Sequence, residues 1–337
     1  MPRQPLPNPA DSRLDTAWCW LAVLTLTVLS STSRVHASAP VRILIAIGQD
    51  IGATDDEPLH YAERDAQHVV DLFVAIGDVD RTRAYLVNDA SAERVRETLA
   101  EIRGRSIELG DVILIAYVSS HADTGGLHLG SDRMAYAELC ALIASVPARL
   151  HLLITDACTS GALIRGKGGK AIKPFEIDLE GGHDIQGQVV ITSSGSSESA
   201  QEWEALGGSL FTHHLISGLR GAADRNGDGR VTLFEAYTYS YDHTLAASTA
   251  ASAGIQHPAH EIELSGEGDL VLTRPGGRTS GLGLGASLSG RYVVTSTTSG
   301  ELIAEVDKVA GRLVRLALDP GRYLVRKPEY PFTPPVF

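Results

Sequence analysis

The chain has 337 residues, of which 43% are hydrophobic and 21% are charged. This composition is that of a globular protein with room for one domain of ordinary size and a smaller one. The formal net charge is -12, which argues against a general nucleic-acid binder, because such proteins use Lys and Arg to displace counterions from phosphate.

The N-terminal segment has the pattern of a secretory signal peptide. An uncharged apolar run, AWCWLAVLTLTVL (17–29), follows Arg3 and Arg13 and precedes the triplet Val-His-Ala (35–37), which places a small residue at the expected cleavage site. We therefore expect a signal peptide over residues 1–37 and a secreted or periplasmic protein. The alternative is a membrane anchor, although the run is shorter than the roughly 20 apolar residues of a membrane span. Contact with a membrane is expected only if this segment is retained.

The next part of the chain alternates apolar runs with amphipathic segments. Strands are predicted at 41–48, 83–87, 111–118, 150–155 and 188–192, and helices at 61–76, 91–102 and 134–143. Near-continuous apolar strands that alternate with helices indicate an α/β fold, with a mostly parallel sheet covered by helices on both faces. Ligand chemistry in such sheets lies beyond the carboxyl ends of the strands.

The C-terminal third is predicted to contain helices at 209–219 and 233–245, and strands at 260–264 and 269–273 that pair around Gly266. Glycine-rich residues 274–286 are predicted to form a linker. Residues 287–337 alternate apolar and polar residues between glycine turns, which predicts a small C-terminal β domain.

A histidine and a cysteine follow two consecutive predicted strands. His121 lies in SSHAD (119–123) and Cys158 in DACTSG (156–161), 37 residues later. Consecutive strands are usually neighbours, so their C-terminal loops can bring an imidazole and a thiol together. A thiol needs a base or a cation beside it to act as a nucleophile at neutral pH. The alternative is that Cys158 is a buried hydrophobic residue and His121 an ordinary loop residue.

Five segments together resemble bacterial caspase-family peptidases, which are close to metacaspases. They are HAD, DACTSG, YAERDA (61–66), VVITSSGSSESAQEW (189–203) and GGSLFTHHLISGL (207–219). The resemblance covers roughly residues 41–273 and implies a caspase-like peptidase domain with a polypeptide substrate. It further implies that His121 is the base, that Cys158 is the nucleophile, and that the backbone N–H groups of Cys158 and Ala122 form the oxyanion hole.

The chain departs from the family pattern beside the histidine. Family members usually have Ser-Gly-His-Gly, whereas this chain has Ser-Ser-His-Ala at 119–122. Glycine adopts backbone angles that alanine does not, and a lost oxyanion donor costs about 10²–10³ in rate. An alternative to a secreted cysteine endopeptidase is therefore a catalytically impaired binding or scaffold module. A third interpretation is a redox protein in which Cys140 and Cys158 are partners.

Asp156 lies two residues before Cys158, at a position that faces the specificity pocket in the family. A carboxylate there would form charge-assisted hydrogen bonds with Arg or Lys, so we expect a preference for these residues before the cleaved bond. The alternative is that Asp156 caps the following turn. The stretch 163–175 carries Arg165, Lys167, Lys170 and Lys173, and is either a site of self-cleavage or a solvated cationic loop.

Residues 224–235, DRNGDGRVTLFE, match the template of an EF-hand-like calcium loop. The predicted Ca²⁺ ligands are Asp224, Asn226, Asp228, the carbonyl of Arg230, Thr232 and Glu235. Predicted helices flank the loop, so the calcium would stabilise the fold without taking part in the chemistry. We expect no organic cofactor, and the sequence indicates no oligomeric state.

Overall fold

The computed structural model describes residues 39–158, 160–163, 185–196, 198–204, 206–249, 254–266, 268–278 and 280–328. The predicted signal peptide, Thr159 and the basic residues at 165, 167, 170 and 173 lie outside these ranges. None of the helices within the described ranges is long and apolar enough to cross a membrane.

The helices and strands follow one another through most of the described chain. The helices are α1 (Ala62–Ile76), α2 (Ala92–Leu109), α3 (Tyr136–Ala144), α4 (Leu210–Ser217) and α5 (Leu233–Thr249). The strands are β1 (Val41–Gln49), β2 (Ala84–Asn88), β3 (Val112–Ser120), β4 (Ala122–Asp123), β5 (Gly126–Leu129), β6 (Asp132–Ala135), β7 (Leu150–Asp156), β8 (Gln186–Thr192), β9 (Glu202–Trp203), β10 (Gly208–Ser209), β11 (Val231–Thr232), β12 (Ala259–Ser265), β13 (Val271–Thr273), β14 (Gly281–Leu284), β15 (Gly290–Ser296), β16 (Leu302–Lys308), β17 (Val314–Ala317) and β18 (Tyr323–Arg326).

Local sequence explains where the helices begin and end. The side chain of Ser91 accepts a hydrogen bond from the backbone N–H of Arg94, which caps the first turn of α2. Gly110 follows the last turn of α2 with a φ of 81°, a conformation that glycine adopts without steric cost. Ser209 caps α4 in the same way as Ser91 caps α2, by accepting a hydrogen bond from Thr212 N–H.

Six strands form the central sheet, in the order β12-β8-β7-β3-β1-β2. The pairs from β2 to β8 are parallel, and β12 runs antiparallel to β8 at the edge. The central strands have continuous apolar runs because both of their faces are covered. All nine residues of β3, for example, are buried.

The two faces of the sheet are covered by different helices. On β1, Leu44 and Ala46 belong to one apolar core together with residues of α1, α4 and α5. The alternate residues Ile43, Ile45 and Ile47 belong to a second core with residues of α2 and α3. The predicted fold class, a mostly parallel sheet with helices on both faces, is therefore confirmed.

The C-terminal strands form two small antiparallel sheets, β14-β17 and β16-β15-β18, around their own apolar cluster. They pack against the helices of the main sheet. The Tyr239 hydroxyl of α5 donates to the carbonyl of Glu305 at 2.7 Å, and Glu305 N–H donates to Ser217 Oγ of α4 at 3.2 Å. Strand β14 lies within the segment predicted to be a linker.

One predicted pairing is wrong. The segments 260–264 and 269–273 do not pair with each other around Gly266. The first belongs to β12, which pairs with β8, and the second to β13, which pairs with β11. The strands β4, β5 and β6 form an antiparallel sheet that the sequence analysis did not predict.

Candidate active site

The site begins at the carboxyl ends of β3 and β7, which are parallel neighbours. Their last pair in register is Ser119 and Asp156. His121 and Cys158 therefore each lie two residues beyond the same pair. The sequence-predicted base and nucleophile thus occupy equivalent positions at one edge of the sheet, where ligand chemistry of such folds is located.

The imidazole of His121 contacts the loop that follows β1. Its Nε2 atom lies 2.6 Å from the backbone carbonyl oxygen of Glu57. A carbonyl only accepts hydrogen bonds, so Nε2 carries the proton when the ring is neutral, and Nδ1 is left as the basic nitrogen. The orientation of the ring is thus set by a backbone group.

Gly52 in the same loop packs closely against His121. A Cβ atom at residue 52 would lie 2.8 Å from Cδ2 of the imidazole, which is closer than carbon atoms approach. The position of the His121 ring therefore depends on the absence of a side chain at residue 52.

A second histidine, His128 on β5, supports the backbone of this region. Its N–H donates to the His121 carbonyl at 2.8 Å, and its Nδ1 lies 2.6 Å from Oδ2 of Asp56. Burial opposes ionisation of Asp56, but hydrogen bonds from His128 and from Ala53 N–H leave its pKa below the usual value. The sequence analysis missed His128 and Asp56, because neither belongs to a motif around His121 or Cys158.

Cys158 is partly buried, and its thiol donates to the Ala200 carbonyl, with Sγ 3.9 Å from the oxygen. Burial raises the pKa of this thiol, and the charge of Asp156 adds to the rise, while the Ala200 contact lowers it. A raised pKa keeps the sulfur protonated at neutral pH, so the thiol needs a base to become a nucleophile.

Within the described residues, no direct hydrogen bond joins His121 to Cys158. The imidazole contacts Glu57 and the thiol contacts Ala200. Catalytic hydrogen bonds are often long or misaligned without substrate and tighten when substrate binds. The shared register places the two groups at one strand edge but leaves them separately bonded.

Ala122, the predicted second oxyanion donor, begins β4 and pairs with Leu127 of β5. It is not among the described non-glycine residues with positive φ, which are Asp78 and Asp89. The backbone at Ala122 therefore does not have the left-handed conformation that would strain an alanine. The departure from glycine does not distort the backbone beside His121.

Asp156 lies in a buried polar cluster at the end of β7 and is 3% exposed. Its Oδ2 accepts a hydrogen bond from Thr212 Oγ1 at 2.6 Å and a short one from Ser209 Oγ, and its Oδ1 has no hydrogen-bond partner among the described residues. Burial raises the pKa of Asp156. The hydrogen bonds found for the carboxyl therefore go to Ser209 and to Thr212 of α4, and not to the turn after β7.

Asp65 of α1 is a second acid in this cluster that the sequence analysis missed. Its Oδ2 accepts a hydrogen bond from Ser209 N–H at 2.9 Å. Burial, with the nearby charge of Asp156, holds the pKa of Asp65 well above its usual value. Asp65 lies on the buried face of α1 with Ala62 and Ala66, and an acid on an apolar helix face was the available signal.

The predicted calcium loop connects the turn after α4 to the start of α5. Asp224 accepts from Gly227 N–H at 2.8 Å and from Gly229 N–H at 2.9 Å, and Glu235 accepts from Thr232 N–H at 3.0 Å. Gly229 has a φ of 79°, the sharp turn that the sixth position of such a loop requires. Asn226 Oδ1 and Asp228 Oδ1 accept backbone N–H groups of Asp228 and Arg230.

The donors of this loop are oxygens, which suits Ca²⁺, and the loop backbone has the required turn. The carboxylates of Asp224, Asp228 and Glu235 are farther apart than a bound ion needs. Among the described residues, their oxygen atoms do not all lie within 4.8 Å of one another. Glu235 contacts Arg225 N–H and the Thr232 hydroxyl instead. Calcium binding would require these carboxylates to draw closer together.

No family model matches this chain, and no curated protein matches it in sequence. Among solved structures, it is similar to caspase-1 from Spodoptera frugiperda, with 13% sequence identity and a TM-score of 0.46. The similar region covers 71% of this chain and 92% of that chain. At this TM-score and sequence identity, the similarity gives no information about the site, whose chemistry depends on the residues described above.

Proposed function

We propose that this chain is a caspase-like cysteine endopeptidase that cleaves polypeptides after Arg or Lys. The observation that carries the proposal is the equivalent placement of His121 and Cys158 beyond the last pair of β3 and β7. The motifs around these residues support it, because they resemble those of bacterial caspase-family peptidases.

In the proposed reaction, His121 and Cys158 act in two steps. Nδ1 of His121 takes the proton from the Cys158 thiol, and the thiolate attacks the carbonyl carbon of the peptide bond. The protonated imidazole then gives this proton to the leaving amine. Water hydrolyses the thioester with His121 as base, which releases the acid product and restores the thiol.

The negative charge on the substrate oxygen needs hydrogen-bond donors. We assign these to the backbone N–H groups of Cys158 and Ala122, which flank the reacting carbonyl in the proposed complex. Such donors stabilise the transition state most when they are fixed before the reaction. The pairing of Ala122 with Leu127 supports this assignment, because it fixes the backbone next to His121.

We assign the preference for Arg or Lys to Asp156 together with Asp65. Both carboxyls are buried and both contact Ser209. Oδ1 of Asp156 has no partner among the described residues, and a buried carboxylate oxygen without a partner is costly. A guanidinium or ammonium group would pair with this acid, whereas the carboxylate of a substrate Asp would repel it.

We further propose that the protein is exported through its N-terminal segment and binds Ca²⁺ at residues 224–235. The ion would be held by the oxygens of Asp224, Asn226, Asp228, Thr232 and Glu235 and by the Arg230 carbonyl. It would fix the turn between α4 and α5 and supply no catalytic group. The all-oxygen donor set and the glycine turn at Gly229 support this proposal.

The function is tested with fluorogenic peptides that differ only in the residue before the cleaved bond, with Arg, Lys or Asp at that position. We expect kcat/KM to favour Arg and Lys, and Asp156→Asn to reduce this preference at least tenfold while the protein stays folded. Asp132→Asn, an exposed acid on β6, is the matched control. Hydrolysis of the Asp peptide in preference to Arg would contradict the specificity, and no hydrolysis of any peptide would support a non-catalytic module.

A further inference from the structure

Three ligating side chains meet between α4 and β16, away from the cluster at Asp156. They are His213 and His214 of α4 and Glu305 of β16. One ligand atom from each lies within 4.8 Å of the others, and all three residues are buried. The catalytic proposal uses none of them.

Within the described part of the chain, three ring nitrogens of the two histidines are buried without a hydrogen-bond partner. Among the described residues, neither ring nitrogen of His214 has a hydrogen-bond partner, and Nε2 of His213 has none either. His214 is 2% exposed and Glu305 is 3% exposed. Buried polar groups are nearly always hydrogen-bonded, so orphaned atoms on adjacent histidines need an explanation.

A hydrogen bond between the histidine and the glutamate does not supply that explanation. Nδ1 of His214 lies 3.9 Å from Oε2 of Glu305, which is beyond hydrogen-bond distance. A neutral imidazole keeps one nitrogen lone pair free, and a metal ion binds through that lone pair.

We propose that His213, His214 and Glu305 bind a zinc ion that joins α4 to β16. Two imidazoles and one carboxylate are a donor set that zinc uses in proteins, with a fourth position left for water. Zinc bonds to N and O at about 2.0–2.2 Å, so its ligand atoms lie about 3.4 Å apart. The three side chains would therefore move together by about 1 Å on binding.

A cavity lies beside His213, one of the three proposed ligands. This cavity of about 200 Å³ is lined by His213, His68 and Asp65, among other residues. Its size is sufficient for water molecules, so the cavity can supply the fourth ligand. Arg220 also lines it and opposes a cation there, whereas the acids Glu301 and Asp319 of the same lining favour one.

The proposed ion has a consequence for the neighbouring acid cluster. Thr212, which donates to Asp156 Oδ2, directly precedes His213 in α4. A metal that fixes α4 against β16 would therefore also fix the N-terminal end of α4 beside Asp156. Because the ion would bind only the folded chain, it would stabilise that chain by mass action.

The test uses the full-length protein with Cys158→Ala, so that the proposed catalytic thiol cannot bind metal, and with saturating Ca²⁺ present. After treatment with chelator and dialysis, zinc is titrated against a competing chelator, and bound metal is counted by mass spectrometry. We expect one zinc per chain and a higher melting temperature. Loss of a residue that hydrogen-bonds to a metal ligand costs about 10–100-fold in affinity, so removal of a direct ligand in His214→Gln or Glu305→Gln should cost at least about 100-fold.

The control is His260→Gln, a partly buried histidine of β12 that packs against Tyr237 at 4.4 Å between ring centroids. It should bind zinc as the parent does. If the ligand variants do not fold, the absorption spectrum of the parent protein with bound Co²⁺ tests the proposed site instead. Bands of four-coordinate cobalt without a thiolate charge-transfer band support the site. A spectrum with a thiolate band, a parent that binds no zinc, or ligand variants with parental affinity would overturn it.

Discussion

The Nε2 atom of His121 lies 2.6 Å from the backbone carbonyl oxygen of Glu57. This contact fixes which nitrogen of the ring is protonated and directs the basic Nδ1 away from the Glu57 loop. The geometry of the proposed base therefore depends on the loop between β1 and α1, which contributes no acid or nucleophile to the reaction. It also makes the reaction sensitive to small changes in that loop.

Gly52→Ala should reduce activity without unfolding the protein. The new Cβ would overlap Oδ2 of Asp56 and lie 2.8 Å from Cδ2 of His121, so the ring or the loop must shift. A misplacement of about 1 Å can cost about 10²-fold in rate, and we expect kcat/KM to fall about 10–100-fold. Gly104→Ala in α2, where a Cβ meets nothing within 4 Å, is the control, and parental kinetics in both variants would contradict the proposed geometry.

The Cys158 thiol should remain protonated at neutral pH in the free protein. Burial raises its pKa, so its alkylation rate should still increase with pH at about pH 9, near the ordinary thiol value. The measurement is the rate of iodoacetamide modification in a Cys140→Ser background. A rate that has already reached its plateau at neutral pH would show that His121 holds Cys158 as a thiolate before substrate binds.

The two buried acids should make stability depend on pH. Burial raises the pKa of Asp65 and of Asp156 in the folded state, so the folded chain holds protons that the unfolded chain has released above about pH 4. The free energy of unfolding should therefore fall as pH rises from about 4 toward the raised pKa values.

Asp156→Asn removes one of these groups, so its free energy of unfolding should fall less steeply over the same range. Urea unfolding at a series of pH values measures both slopes. Glu263→Gln, an exposed acid of the edge strand β12, should retain the parental slope. Equal slopes in the parent and in Asp156→Asn would mean that Asp156 titrates normally in the folded protein.

Calcium should raise the melting temperature of the protein. A ligand at 100 times its Kd stabilises by about 2.7 kcal/mol, which corresponds to about 5–10 °C at 2–4 °C per kcal/mol. Glu235→Gln should abolish most of this shift, since it weakens the ligand at the last position of the loop. If chelator and millimolar Ca²⁺ give the same melting temperature in the parent, the loop is a polar turn without bound calcium.

The main sheet could be predicted because its strands are uninterrupted apolar runs, such as LHLLIT at the start of β7. The pairing of β12 could not, because it depends on contact with β8, more than 60 residues earlier. Local turn signals around Gly266 favour a hairpin, and they carry no information about a distant edge of a sheet.

The same distinction applies to the site. The sequence indicated the positions of His121 and Cys158 because each follows an apolar strand. It did not indicate Glu57, which contacts the imidazole through a backbone carbonyl that any residue has. Asp65 and Asp156 are 91 residues apart in sequence, and only the packing of α1 and α4 on the sheet reveals that both contact Ser209.

The most direct test of the central claim is covalent labelling with a peptidyl acyloxymethyl ketone that ends in Arg. Intact mass and peptide mapping should show one adduct per chain on Cys158. Labelling should be at least 100-fold slower in His121→Gln and with the matched Asp reagent, because the base and the basic side chain are then missing. An adduct on Cys140 alone, or no adduct on Cys158 under conditions in which iodoacetamide modifies it, would contradict the account.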